Sequence, residues 1–180
     1  AYHANGVSLA AVTDGTSNTA AVSELVLYNA NQNTIKGSYC MNVSGLNNSL
    51  INCMAFKGTN GELYGCTPAD SHRHRGYGWA AGYPMHTGFN TVLPPNSPMC
   101  SSAKGEWGMA ILSPQSNHPT GVNLALADGS VRFVTENIDT GNLALPEPNP
   151  RAGASPYRNS PYGVWGALGS INGGEASAEL

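Results

Sequence analysis

Residues 121–136 constrain the fold more tightly than any other stretch. Two runs rich in apolar residues, Val122–Leu126 and Val131–Val134, flank the dipeptide Asp128-Gly129. Asp-Gly favours the two positive-φ positions of a type I′ turn, whose twist suits the strands of a hairpin. With Asp128 and Gly129 as the whole loop, Ala127 faces Ser130, Leu126 faces Val131, Leu124 faces Phe133 and Val122 faces Thr135. Strand side chains alternate, so this register predicts one apolar face of Leu124, Leu126, Val131 and Phe133. Asn123, Ala125, Ala127, Ser130, Arg132 and Val134 would share a more polar face. The expected fold class is therefore mainly β with short helices (α+β), around an antiparallel sheet. At 180 residues the chain reads as a single domain, 1–180, large enough for its own core.

Composition narrows the function classes. Only 11% of residues are charged, where soluble domains usually carry roughly 25%. Asn, Ser, Thr and Gly make a polar but neutral surface, as in exported and assembled proteins. The net charge is -3 with no basic stripe, which argues against nucleic acid as a partner. No apolar run approaches the ~20 residues of a membrane span. Ala1-Tyr2-His3-Ala4-Asn5 has neither a basic start nor an apolar stretch, so the chain reads as mature, processed or partly observed. Cys40, Cys53, Cys66 and Cys100 are an even set with no C-x-x-C, which points to two disulfides in an oxidising compartment. Three pairings are open.

Ser8 would cap one or two helical turns over Leu9–Val12, ended by Asp14-Gly15. Ala20–Tyr28 reads as a strand, with Glu24 as an edge charge that blocks unwanted pairing. Residues 29–105 form a loop-rich, cysteine-containing segment with few helix signals. Asn42-Val43-Ser44 and Asn47-Asn48-Ser49 match the glycosylation sequon. His72 and His74 flank Arg73 in a basic loop and would point the same way in an extended chain, but lack further ligands for a metal. Tyr77, Trp79 and Tyr83 lie in a Gly-rich stretch able to pack, or to stack on a sugar. Glu106–Leu112 is a further candidate strand. Ser160 as cap and Pro161 at the first position predict a short helix over 161–168, closed by Gly169, with Val164, Trp165 and Leu168 facing inward. Residues 173–180 read as a tail.

Nothing in the sequence carries a recognised catalytic motif: no G-x-S-x-G, H-E-x-x-H, Walker loop or dinucleotide glycine pattern. His118 and Asp128 are the one pair that suggests a mechanism. At about 3.3 Å per residue, the hairpin places its Asp128 tip roughly 23 Å from its base at Gly121, and His118 lies beyond that base. A His–Asp dyad within one hairpin is thereby excluded. Asp14, Asp70, Asp128 and Asp139 are isolated, with no D-x-D-x-D loop for calcium.

His118, nine residues and then Asp128-Gly129 resembles the His-x9-Asp-Gly motif of the prepilin-like family abundant in planctomycete bacteria. Further resemblance lies in Thr13-Asp14-Gly15-Thr16-Ser17-Asn18-Thr19, in Gly88–Cys100, in Ser130–Phe133, and in Tyr162–Gly169 with Gly173-Gly174-Glu175. The resemblance implies a pseudopilin-like globular head of unknown function, exported to the cell surface. The leader and long apolar helix of that family are not seen in this sequence: either they were removed or unobserved, or the head works without them, in which case assembly would run through the head, by sheet edges or loops. The expected function is a non-enzymatic structural subunit that self-associates into a fibre, sheath or lattice. The alternative is a surface glycan- or ligand-binding module using Tyr77, Trp79, Tyr83 or the His72/His74 loop. No cofactor is expected; calcium in a loop is a further option that the resemblance carries.

Overall fold

The structure, a computed structural model, describes residues 7–28, 33–46, 49–69, 75–78, 80, 82–104, 108–146 and 159–174. The hairpin forms, but its turn is one residue longer than expected. Strands β6 (Gly121–Leu126) and β7 (Val131–Thr135) pair Val122 with Val134, Asn123 with Phe133 and Leu124 with Arg132. The Gly129 N–H donates to the Leu126 carbonyl at 2.9 Å, and the Leu126 N–H donates to the Ser130 carbonyl at 2.9 Å. Gly129 has φ +85°, whereas Asp128 is not among the positive-φ residues. This is a three-residue loop, Ala127-Asp128-Gly129, with glycine in the left-handed position, rather than a type I′ turn. The Asp128 carboxylate accepts from the Ser130 N–H at 2.8 Å and its hydroxyl at 2.7 Å.

That one extra residue inverts β7. Val122, Leu124 and Leu126 are buried as expected, but the β7 residue buried with them is Val134, 2% exposed, the register partner of Val122. Val131 and Phe133 lie on the outer face, 64% and 48% exposed. Because side chains alternate with period two, a shift of one position moves the whole strand's set to the other face.

The described residues form two sheets. The first is antiparallel, in the order β1-β6-β7, with β1 at Ala20–Ser23. Strand β1 stops well short of Tyr28 because at Glu24 the side-chain carboxylate, rather than a backbone carbonyl, accepts the Asn123 N–H, at 2.6 Å. The second sheet, in the order β3-β2-β4-β5, uses two-residue strands: β2 (Cys40–Met41), β3 (Thr67–Pro68), β4 (Cys100–Ser101) and β5 (Ala110–Ile111). It contains one parallel pair, Cys40 with Cys100. Mainly β with short helices is thus the fold class. Among the described residues no helix is long and apolar enough to cross a membrane.

Among the described residues the first sheet is covered on one face only. Helix α2 (Gly163–Leu168) lays Trp165 and Leu168 against Val122, Leu124, Leu126 and Val134. The predicted cap is displaced: Ser160 bonds to Tyr162, while Asp139 accepts the Val164 N–H with its carboxylate (3.4 Å) and the Trp165 N–H with its carbonyl (2.9 Å). The two inner strands of the second sheet, β2 and β4, are buried on both faces, while edge strand β3 leaves Thr67 exposed. Cys40, Cys100 and Ile111 face one cluster with Leu46, Leu50 and Leu93. Tyr39, Met41, Met99 and Leu112 face another with Met85.

Smaller differences concern the short elements. Leu9–Ala11 is one 3-10 turn that Ser8 does not cap. A 3-10 segment at Leu50–Phe56 carries Cys53 into the core within the stretch read as helix-poor. Helix α1 (Pro84–Thr87) starts on a proline and is a further element that the pattern did not predict. In the expected strand 106–112 only Ala110–Ile111 pairs, and residues 105–107 lie outside the described residues.

Candidate functional site

The four cysteines form Cys40–Cys66 and Cys53–Cys100. Cys40 and Cys100 are register partners in β2 and β4, so both bridges leave from one point of the second sheet. One runs to the chain before β3 and the other to the 3-10 segment.

The motif residues Asp14 and Asp128, and Asp139, act as acceptors for backbone amides. Asp14 takes the N–H groups of Gly173 (2.8 Å) and Gly174 (2.9 Å) and the Ser170 hydroxyl (3.0 Å). Partial burial opposes its charge, but the Gly174 and Gly173 N–H groups and Ser170 outweigh that and hold the carboxyl below its ordinary range. Asp128 is likewise held low, by the Ser130 hydroxyl first and its N–H second. Asp139 accepts from Gly141 at 2.9 Å and starts α2. A carboxylate used in this way holds a chain turn in place.

The stretch Thr13–Thr19 is a clasp between distant parts of the chain. The Ile171 carbonyl accepts the Thr13 N–H at 2.7 Å, and the Ser170 carbonyl accepts the Thr19 hydroxyl at 3.3 Å. On the other side, Ala127 and Asp128 of the hairpin tip donate to the carbonyls of Thr19 (2.8 Å) and Thr16 (3.1 Å). Asp14, Gly15, Asp128, Gly129 and Gly173-Gly174, far apart in sequence, therefore meet in one region.

A second junction lies between the sheets. Gln115, 1% exposed, accepts the Gly37 N–H at 2.8 Å and donates to the carbonyls of Ile35 (2.7 Å) and Ser97 (3.3 Å). Asn96 accepts the Ser116 N–H at 2.9 Å and donates to Glu136 at 2.8 Å. The Trp165 indole donates to the Leu93 carbonyl at 2.8 Å. The proline-flanked Leu93–Ser97 run thus anchors both sheets. Its Asn and the isolated Gln115 stand between prolines and serines, a sequence pattern that marks loops and hides their burial.

On the outer face of the first sheet, His118 pairs with Glu24 at 3.2 Å, and its ring meets Phe133 edge-on at 6.5 Å. Burial works against the Glu24 charge, but Asn123 and the neighbouring His118 prevail and keep its carboxyl low. Phe133 lies over Gly121, where an added Cβ would sit 2.8 Å from the ring. Glu24 is both at an edge and partnered. His118 and Asp128 have separate partners at opposite ends of β6.

A third cluster surrounds His86, 2% exposed, whose ring stands T-shaped to those of Tyr77 (5.8 Å) and Tyr83 (5.5 Å). Beside it Arg75 is buried and donates to the carbonyls of Pro84, Met85 and Gly88, the last at 2.7 Å, holding α1. Burial lowers its guanidinium to about 10, against a raising contribution from Tyr39, so it stays charged at neutral pH. Trp79, His72, His74 and Asp70 lie outside the described residues. Among the described residues no group of three or more His, Cys, Asp or Glu could hold a metal ion.

The family described as a protein of unknown function (DUF1559) matches residues 2–141. Neither the curated proteins nor the solved structures contain a match. The matched span covers the clasp, both disulfides, the hairpin and Asp139, while Ser170, Gly173 and Gly174 lie beyond it. With most of its length matched, the chain belongs to this family of unknown function.

Proposed function

We propose that the chain is the structural, non-enzymatic head of an exported, prepilin- or pseudopilin-like protein that self-associates at the cell surface. The observation that carries this reading is the open outer face of the first sheet. Val22 (63% exposed), Ala125 and Val131 (64% exposed) form one row across it, and Phe133 lies in the next. Both outer strands, β1 and β7, are edges of that sheet. Open edges beside apolar side chains favour pairing with another chain. The disulfides fit an oxidising compartment. The motif aspartates hold turns together, which suits a scaffold.

Light scattering and electron microscopy test it. The wild-type chain should form concentration-dependent, regular assemblies, and Val131→Lys with Phe133→Glu should abolish them while the fold persists. A wild-type chain that stays monomeric at high concentration overturns the reading. Glycan binding is the second reading, favoured by Tyr77, 54% exposed; loss of glycan-array signal on Tyr77→Ala would support it.

A further inference from the structure

Asn-Gly occurs three times in the chain, at 5–6, 60–61 and 172–173. An Asn side-chain amide followed by glycine is open to attack by the next main-chain nitrogen, because glycine has no Cβ to hinder the approach. The first pair lies outside the described residues. The other two stand in opposite states.

Asn60-Gly61 is the tip of a loop. The Gly58 N–H donates to the Glu62 carbonyl at 2.8 Å and closes the loop, and Lys57 bridges to Leu63 behind it. Thr59, Asn60 and Gly61 are exposed. Among the described residues, neither the Asn60 side chain nor the N–H groups of Asn60 and Gly61 have a hydrogen-bond partner. Gly61 has φ +74°, and nothing lies within 4 Å of the place a Cβ would take. Asn172 is also exposed, but the Gly173 N–H is held twice. It donates to the Asp14 carboxylate at 2.8 Å and to the Ser170 hydroxyl at 2.8 Å. A nitrogen whose proton is bound to a carboxylate gives it up reluctantly and is not free to turn towards its neighbour's side chain.

We propose that Asn60-Gly61 is a self-modification site at which the chain converts Asn60 to isoaspartate, and that the clasp at Asp14 protects Asn172-Gly173 from the same reaction. The Gly61 nitrogen loses its proton and bonds to Asn60 Cγ. The Cγ–Nδ2 bond breaks, and the side-chain amide leaves with that proton as ammonia. Water then opens the five-membered succinimide ring. Opening at the main-chain carbonyl leaves the chain running through Cγ, as isoaspartate; opening at Cγ gives aspartate. One water enters and one ammonia leaves, with nothing oxidised or reduced. The product carries a new negative charge. As isoaspartate it also adds a methylene to the main chain before Gly61, whose carbonyl accepts the Ile35 N–H at 2.9 Å.

The test is timed incubation of the full, disulfide-intact chain at mildly alkaline pH, with peptide mapping by mass spectrometry that separates isoaspartate from aspartate. The Asn60 peptide should show the amide-to-acid mass gain first, mostly as isoaspartate, and faster as pH rises. The Asn172 peptide should react at least about tenfold more slowly, since a hydrogen bond to a charged group must first break. In denaturant the two rates should converge. Asp14→Ala with Ser170→Ala should bring Asn172 up towards Asn60 in the folded chain; if that variant fails to fold, the wild-type rates in the folded and denatured chain decide. Asn172 reacting as fast as Asn60 in the folded chain, Asn60 reacting only in denaturant, or aspartate formed without isoaspartate overturns the inference.

Discussion

The two sheets solve the same problem in opposite ways. The β6–β7 ladder runs over five paired positions and needs no cross-link. Its strands alternate, one face packs under α2, and the other stays open. In the second sheet each strand is two residues long. So few ladder bonds cannot hold four strands together, since a short isolated pairing is marginal at best. Two disulfides, burial of the inner strands on both faces and the Gln115 and Asn96 side chains take over. Regular backbone pairing and side-chain cross-linking are thus interchangeable means of order, and each leaves a different surface. The regular sheet keeps edges and an open face, whereas the inner strands of the braced sheet are buried.

The largest expected effect is loss of the bridges. They span separations of 26 and 47 residues, and loop entropy assigns each about 3–4 kcal/mol. Reduction should therefore speed amide exchange at Met41, Ser101 and Ile111 well before it does so at Val122 and Leu124. Equal acceleration in both sheets would show that they unfold as one unit and would break the comparison.

Trp165→Ala attacks the other sheet. It empties the core under β6 and leaves the Leu93 carbonyl without its indole donor. A cost of about 3–5 kcal/mol is expected in denaturant melts. Exchange protection should fall first at Val122, Leu124 and Val134, with both disulfides intact.

Asp14→Asn should have the smallest effect, about 1 kcal/mol at neutral pH. The Asp14 carboxyl has a folded pKa below its ordinary 3.8. Its stabilisation is therefore complete above the unfolded value and is lost as pH falls through the folded one. Melting temperature against pH should be flatter on the acid side in the variant. A parallel pair of curves would mean that the clasp does not depend on this charge.

Much of the architecture was legible in the residues. The hairpin, the α2 helix with Trp165 and Leu168 inward, and paired cysteines follow from turn chemistry, periodicity and an even count. The junctions were not. Asp14 reaches Gly173 across 159 positions, and Gln115 reaches Ile35 across 80. Local propensity holds no record of such distances, and a buried Gln between Pro and Ser looks like a loop residue. Glu24 could be read as an edge charge; its bond to Asn123 depends on which strand lies opposite.

The hairpin divides the two kinds of information most clearly. By itself the sequence determined that the chain reverses at Asp128-Gly129 and that β6 buries Val122, Leu124 and Leu126. An alternating strand has one apolar face wherever its partner starts. Only the tertiary structure decided the length of the loop, because glycine in the left-handed conformation serves a two-residue and a three-residue turn alike. Trp165 and Leu168 of α2 cover the face that holds Val134, and Thr16 and Thr19 hold the tip amides. These contacts select a register that leaves Val131 and Phe133 in solvent, on the face through which we propose that copies meet.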